Sequence, residues 1–162
     1  MAGSRSSHDA SRRSSASNAS QSLLRISFVP APPELIQRVP LFSDLDKKEL
    51  QGLASSMKER IFDAGDKVTT EGQSGVGFFI IEDGEASVTV GGEERGMLKG
   101  GDYFGEVALI DDSARTATIT AKTELKTYGI TSWEFRPLIE QNAALAWKLL
   151  QTMAKRLRDA QH

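Results

Sequence analysis

Between residues 60 and 130, short apolar segments are separated by glycine-containing turns. In 86–90 apolar residues alternate with Ser87 and Thr89, and in 116–121 they alternate with threonines. The turns recur at intervals of about 8 to 12 residues, which is typical of antiparallel β-sandwiches and barrels. We therefore expect a mainly β domain whose strands form an antiparallel barrel, with helices on both sides of it in the sequence.

Helical patterns flank this region. Asp46 and Glu49 have the spacing of a capping box and predict the start of a helix. The apolar face of that helix is Leu50, Leu53, Ala54 and Met57. Thr131 and Glu134 repeat the capping-box spacing at the start of a second helical segment, which we expect Pro137 to break or bend.

The last helix is predicted from about Ala143 to Ala160. One stripe of this helix is apolar and has heptad-like spacing: Ala146, Leu150, Met153, Leu157 and Ala160. It is barely two heptads long and does not establish a coiled coil. The stripe could face the barrel, a ligand or a second subunit, and the sequence leaves all three open.

The chain divides into three predicted parts. Residues 1–22 are rich in Ser, Ala and Arg and have too few apolar side chains to fold, so we expect a disordered tail. Residues 23–40 form an N-terminal extension interrupted by prolines, and 41–162 form the folded domain, with its barrel at about 60–130 and its C-terminal helices at about 132–160. The tail also fits an organelle transit peptide, and Arg12-Arg13-Ser14-Ser15 fits a basophilic kinase site with Ser15 as acceptor.

Composition excludes several classes of function. The net charge of −2 argues against a general nucleic-acid surface, and the absence of cysteine excludes disulfides and thiolate metal sites. The two histidines, His8 and His162, lie near the chain ends, so we expect no metal centre. No apolar run reaches membrane-spanning length and no G-x-S-x-G motif occurs. We expect a cytoplasmic protein that is not an enzyme and that contacts neither membrane nor nucleic acid.

The most informative segment is 104–119. Glu106 and Arg115 lie nine residues apart and are joined by a short apolar turn between two β-like segments. An arginine beside free backbone N–H groups makes an anion pocket, and a nearby carboxylate can accept hydrogen bonds from sugar hydroxyls. This combination suits a phosphate on a ribose.

The segment resembles the phosphate-binding cassette of the cyclic nucleotide-binding domain family, which includes catabolite activator proteins, kinase regulatory subunits and cyclic-nucleotide-gated channels. The resemblance extends from about Leu41 to Leu157. Further elements occur in the family's order: Gly65-Asp66-Lys67-Val68, Glu71-Gly72, Phe78-Phe79-Ile80-Ile81, Gly84-Glu85-Ala86 and Gly101-Asp102-Tyr103-Phe104. The resemblance implies a jelly-roll barrel with N-terminal helices and with C-terminal hinge and lid helices.

The resemblance also implies roles for individual residues. Arg115 would pair with the exocyclic oxygens of the cyclic phosphate, and Glu106 would accept a hydrogen bond from the ribose 2′-OH. Gly105 would allow an unusual backbone angle or close approach of the ligand. A surface salt bridge from Arg115 to Asp111 or Asp112 stays open as an alternative. So do a capping role for Glu106 and a Glu106–Arg115 pair in the absence of ligand.

Other positions are expected to complete the pocket. Val107 and Ala108 would begin a short helix whose N–H groups point at the phosphate, and the hydroxyl of Thr116 would reach the phosphate or a purine substituent. Lid candidates above the base are Arg156, Leu157 and Ala160. Trp147 is an earlier candidate, for which we favour packing.

These observations predict a stand-alone sensor domain that binds cAMP in preference to cGMP, needs no cofactor and shifts its helices when occupied. Its output would pass to an effector protein, and its C-terminal helix could form a homodimer. One alternative is a kinase regulatory subunit in which Arg12-Arg13-Ser14-Ser15 is an inhibitory or phosphorylated site. Others are a transcription factor, for which no recognition helix is present, and a degenerate scaffold that binds nothing.

Overall fold

The computed structural model describes residues 26–27, 29–73, 77–111 and 114–161. The predicted tail, 1–22, therefore lies outside the described residues, and so does Arg12-Arg13-Ser14-Ser15. Four α-helices are described: α1 Pro33–Gln37, α2 Lys47–Ser56, α3 Ser132–Glu140 and α4 Ala143–Ala160. The described strands are β1 Ile26–Ser27, β2 Lys58–Phe62, β3 Lys67–Thr69, β4 Gly77–Asp83, β5 Glu85–Val90, β6 Glu93–Lys99, β7 Tyr103–Phe104, β8 Thr118–Ala121 and β9 Leu125–Thr131.

The strands form two antiparallel sheets. One sheet has the order β1-β2-β9-β4-β7 and the other the order β3-β8-β5-β6. This confirms the mainly β fold with flanking helices, but the expected closure into a barrel is wrong. Closure requires hydrogen bonding between the edge strands. Here β1 and β7, the two edges of the larger sheet, are two residues long and pair only within that sheet.

The five-stranded sheet separates two hydrophobic cores. Its outer face packs against the helices, where Phe42 lies edge-on to Phe78 at 5.7 Å and to Phe135 at 6.3 Å between ring centroids. Its inner face packs against the four-stranded sheet. That second core contains Ile81, Ala86, Ile119, Ala121 and Leu125. The domain thus consists of three layers: helices, large sheet and small sheet.

Both predicted capping boxes are confirmed. Asp46 Oδ1 accepts from the Glu49 N–H at 2.8 Å, and Glu49 Oε1 accepts from the Asp46 N–H at 2.9 Å. The same reciprocal pair joins Thr131 and Glu134 at the start of α3. The expected apolar face of α2 is also buried, because Leu50, Leu53, Ala54 and Met57 all lie in the core between the helices and the sheet.

Pro137 does not break α3, which continues to Glu140. The proline lies near the end of the helix, so it removes one N–H donor while its own carbonyl still accepts from the Gln141 N–H at 3.0 Å. The expected break at Pro137 is therefore wrong.

Helix α4 has the predicted bounds, and the side chain of Asn142 caps its start. Its packed face is Leu145, Leu149 and Thr152. The predicted apolar stripe lies on a different face, where Leu150 is 57% and Leu157 64% exposed. The stripe therefore does not face the sheets. None of the helices among the described residues has the length and apolar character needed to span a membrane.

Candidate functional site

A cavity of about 310 Å³ lies between the turn after β7 and the segment that leads into β8. Its lining includes every residue predicted for phosphate and ribose contact: Gly105, Glu106, Val107, Ala108, Arg115 and Thr116. Thr69, Phe104, Ala114, Ala117 and Ile119 complete the lining. Residues from the two segments 104–108 and 114–119 therefore line one cavity.

The backbone of Arg115 is fixed by the loop that follows β3. The Arg115 N–H donates to the carbonyl of Gln73 at 2.9 Å, and the Gly72 N–H donates to the carbonyl of Arg115 at 2.8 Å. The side chain is fixed by the start of β4, because Nη2 donates to the carbonyl of Gly77. Two backbone hydrogen bonds and one guanidinium hydrogen bond thus hold Arg115 at the cavity wall.

The guanidinium of Arg115 is also partly removed from water. Its Nε is buried and has no hydrogen-bond partner among the described residues. Burial lowers the pKa of the Arg115 guanidinium from its ordinary value. No ion pair joins Arg115 to Asp111 in the described part of the chain, and Asp112 lies outside it. The alternative of a surface salt bridge to Asp111 is therefore wrong, and a partly desolvated cation lines the cavity.

Residue 105 must be glycine for two reasons, its backbone angle and the lack of space for a side chain. Its φ is +88°, a conformation that L side chains rarely adopt. A Cβ at this position would contact the Arg115 guanidinium and would lie 2.5 Å from the carbonyl oxygen of Gly77. The expected unusual backbone angle at Gly105 is confirmed, and the glycine also allows close contact with Arg115. Close approach of a ligand at this position stays a prediction.

The carboxylate of Glu106 is paired with an arginine from α4. Glu106 Oε1 lies 3.7 Å from Arg156 Nη2, and the Glu106 side chain is only 16% exposed. Its side chain makes no capping hydrogen bond to the turn that follows. Within the described residues it forms no ion pair with Arg115. The expected capping role and the expected Glu106–Arg115 pair are therefore both wrong, because Arg156 approaches the carboxylate instead.

The charge of Glu106 also acts on Tyr103. Burial raises the pKa of the Tyr103 hydroxyl, and the negative charge of Glu106 raises it further. The positive charge of Arg156 acts in the opposite direction and lowers it. Tyr103 therefore stays protonated beside a carboxylate at neutral pH.

The predicted short helix is present as a 3-10 turn, Val107–Leu109. Its second N–H, that of Ala108, donates to the Gly105 carbonyl at 3.0 Å. Ala108 is buried, whereas the side chain of Val107 is exposed. The small Ala108 side chain forms part of the cavity wall and leaves the backbone of the turn close to the cavity.

The lid candidates lie outside the cavity wall. Leu157, Ala160 and Trp147 are exposed, and none of them lines the cavity. Arg156 reaches the site only through Glu106. A lid over a bound base stays a prediction.

Sequence reasoning missed the residues that hold Arg115 in place. Gly77 and Gln73 contribute carbonyl oxygens, and any residue type has a carbonyl, so no side-chain pattern marks them. Thr69 was also missed as a lining residue, although its position at the end of a short strand places it near Ala117, whose carbonyl accepts from the Thr69 hydroxyl at 3.3 Å.

Three comparisons bear on the identity of the chain. A 93-residue segment is 47% identical to a cAMP-dependent protein kinase regulatory subunit of Yarrowia lipolytica, covering 56% of this chain and 25% of that protein. The N-terminal domain of a transcriptional regulator from Streptomyces coelicolor A3(2) has a TM-score of 0.73 at 28% identity, covering 78% of this chain and 92% of that one. The regulatory domain of Toxoplasma gondii PKA, crystallised with cAMP, has a TM-score of 0.60 at 28% identity. The match covers 65% of this chain and 42% of that one.

The chain spans about a quarter of the length of the curated relatives it matches. The cyclic nucleotide-binding domain model matches residues 59–142, more than half of the chain and all of the segment that builds the cavity between Thr69 and Ile119. The chain belongs to the cyclic nucleotide-binding domain family.

Proposed function

We propose that this chain is a sensor domain that binds a cyclic nucleotide in the cavity beside Arg115. The observation that carries the proposal is the environment of Arg115: a partly desolvated guanidinium at a cavity wall, with a buried Nε that has no partner and with no carboxylate partner among the described residues. Burying an uncompensated cation is costly. A phosphate diester would offset that cost, because the planar fork of arginine matches two phosphate oxygens.

The ribose would be held by Glu106. The carboxylate lies on the same cavity wall and is mostly buried. One of its oxygens is within 3.7 Å of Arg156, so the second remains available to accept from a sugar hydroxyl. The proposed ligand therefore contacts a cation through its phosphate and an anion through its sugar.

We propose cAMP rather than cGMP as the ligand. Support comes from relatives whose names state that they are cAMP-dependent and from a structural neighbour crystallised with cAMP. The hydroxyl of Thr116 lines the cavity but is compatible with either base. We also propose that the chain binds the nucleotide without converting it, acts in the cytoplasm and passes the signal on by movement of its helices.

Calorimetry of the whole chain with cAMP and cGMP tests this proposal. Arg115→Ala should weaken cAMP binding by about 10- to 150-fold, the effect of losing a charge-assisted hydrogen bond. Arg95→Ala is the matched control, because Arg95 is exposed on β6 and is not among the residues that line the cavity. Absence of saturable binding of either nucleotide at millimolar concentration would reject the proposal, and so would equal affinities of the Arg115→Ala and Arg95→Ala variants.

A more specific function is regulation of a protein kinase. It is favoured by the identity to a cAMP-dependent kinase regulatory subunit. In this proposal Arg12-Arg13-Ser14-Ser15 occupies the substrate groove of a kinase, or is phosphorylated at Ser15. A kinase inhibited by the chain and released by cAMP would support it, with Arg12→Ala plus Arg13→Ala abolishing inhibition. Inhibition that survives this double substitution would contradict it.

A homodimer through α4 is a further proposal. The apolar stripe from Ala146 to Ala160 has alternating spacings of four and three residues and is largely exposed, with Leu150 57% and Leu157 64% exposed. Pairing with a second copy would bury it. Sedimentation should show a dimer that Leu150→Glu plus Leu157→Glu converts to monomer, whereas Met97→Glu, on β6, leaves it unchanged. A wild-type monomer at high micromolar concentration would exclude the dimer.

A further inference from the structure

The loop after β3 contains a carboxylate that binds a backbone group instead of a cation. The Glu71 carboxylate accepts from the Gly91 N–H, with Oε2 at 3.0 Å and Oε1 at 3.4 Å. Glu71 is exposed, and no ion pair joins it to a cation within the described residues. Its own N–H donates to Thr118 Oγ1 at 3.0 Å, at the start of β8. Glu71 therefore joins this loop to two other parts of the four-stranded sheet.

The partner of the Glu71 carboxylate lies in a tight turn. Gly91 and Gly92 form the two-residue connection between β5 and β6, since Val90 pairs with Glu93 across the ladder. Both glycines have positive φ, +60° and +82°, as the central residues of a type I′ hairpin turn do. The Gly91 N–H lies beyond the last pair of the ladder, so it donates to Glu71 instead of to a neighbouring strand. The hairpin thus offers the loop a well-defined point of attachment.

The two residues after Glu71 hold the backbone of Arg115. The Gly72 N–H donates to the Arg115 carbonyl at 2.8 Å, and the Arg115 N–H donates to the Gln73 carbonyl at 2.9 Å. Strand β3 ends before this loop and β8 begins after Arg115, so no strand ladder fixes either segment here. The position of the Arg115 backbone therefore depends on a loop that the Glu71 carboxylate attaches to the turn between β5 and β6.

We propose that Glu71 is a positioning residue for Arg115. Glu71 does not line the cavity, and it acts by holding the loop that holds the arginine. Its effect on nucleotide binding rests on the proposed function, in which Arg115 binds the phosphate. Without the carboxylate the loop separates from the turn and carries the Arg115 backbone with it, while Nη2 stays bound to the Gly77 carbonyl. The guanidinium then turns away from its position at the cavity wall.

Calorimetry of the whole chain with cAMP tests the inference. Glu71→Ala should weaken cAMP binding by about fivefold, the effect of losing one hydrogen bond of average strength. Glu71→Gln keeps an acceptor oxygen and should restore most of the affinity. Glu94→Ala is the matched control, because it removes the same charge from an exposed position on β6 and should bind cAMP as wild type does. Wild-type affinity in Glu71→Ala, or a loss that Glu71→Gln or Glu94→Ala shares in full, overturns the inference.

A double-mutant cycle separates positioning of Arg115 from general damage to the cavity. Residues that act through one another have non-additive effects. In the Arg115→Ala background, Glu71→Ala should change the affinity for cAMP little, because no guanidinium is left to position. The same loss of affinity in both backgrounds would show that Glu71 acts independently of Arg115 and would refute the proposed role.

A measurement without nucleotide distinguishes failure of the inference from failure of the proposed function. The Nε of Arg115 is buried, so its N–H should exchange slowly with water, and its NMR signal is assigned by its absence in Arg115→Ala. This exchange should be faster in Glu71→Ala and unchanged in Glu94→Ala. If wild type binds neither cAMP nor cGMP, the proposed function fails, yet faster exchange in Glu71→Ala still supports the positioning role. Unchanged exchange in Glu71→Ala overturns that role whether or not a nucleotide binds.

Discussion

The backbone of Gly105 lies directly against the guanidinium of Arg115. The Nη2 group of Arg115 donates to the Gly77 carbonyl, and a Cβ on residue 105 would lie 2.5 Å from that same oxygen. The positive φ of Gly105, +88°, turns the chain so that the cavity wall contains no side chain at this point. The position of the cation thus depends on the absence of one methyl group from its neighbour.

Gly105→Ala should therefore weaken cAMP binding by about tenfold or more, because the new methyl group displaces the guanidinium. It should also lower the free energy of unfolding by about 1–3 kcal/mol, the usual cost of an unfavourable backbone conformation. Calorimetry and urea unfolding measure the two effects. Gly96→Ala is the control, since a Cβ at Gly96 meets no atom within 4 Å. Wild-type affinity in Gly105→Ala would contradict the proposed position of the phosphate.

The role of Glu106 can be separated from that of Arg115 by changing the sugar. Glu106→Gln should weaken binding of cAMP by about 10-fold, because the ribose hydroxyl loses a charged acceptor. Binding of 2′-deoxy-cAMP should change little, because that ligand lacks the hydroxyl. Competition binding with both ligands on wild type and Glu106→Gln completes a double-mutant cycle. If both ligands lose affinity equally, the carboxylate does not contact the 2′ position.

The core between the helices and the large sheet should be sensitive to truncation at Phe78. This side chain is fully buried and contacts the rings of Phe42 and Tyr103. Phe78→Ala should lower the free energy of unfolding by about 3–5 kcal/mol through lost burial and a residual cavity. Met97→Ala, at an exposed position on β6, should change it by about 0.5 kcal/mol or less. Urea denaturation of the two variants measures both changes, and equal losses in the two would contradict the prediction.

The capping box of α3 predicts a loss of stability in acid. Burial raises the pKa of Glu134, but hydrogen bonds from Thr131 and Lys58 outweigh it and bring the pKa below its ordinary value of 4.5. A lowered folded pKa means that the ionised carboxylate stabilises the fold above about pH 4.5, and that this contribution is lost as pH falls through the folded pKa. Glu134→Gln should therefore flatten the dependence of unfolding free energy on pH below 4.5. If the unfolding free energies of Glu134→Gln and wild type fall equally steeply below pH 4.5, this assignment is contradicted.

Local signals in the sequence predicted much of the fold. The capping boxes at Asp46 and Thr131 and the bounds of α4 depend on residues a few positions apart, so the sequence contains all the information they need. Closure of the sheets depends on which distant edges meet, and the alternation of apolar residues is the same in a sandwich and in a barrel.

The packed face of α4 could not be predicted because the helix has two apolar faces. Leu145 and Leu149 pack against the body, while Leu150 and Leu157 lie on the exposed stripe, and their residue types are the same. In the site, the motif identified the cavity-lining residues from 104 to 119 but not Thr69. The partner of Glu106 was not predicted, because Arg156 is fifty residues away and only the position of α4 brings the two together.

The three-layer arrangement has a consequence for engineering. The residues between the two sheets, Ile81, Ala86, Ile119, Ala121 and Leu125, include none from a helix. Substitutions in helices α1 to α3 therefore leave the composition of the interior between the sheets unchanged. Helix α4 is different, because its Arg156 contacts Glu106 at the cavity, so a redesigned output surface must keep that residue.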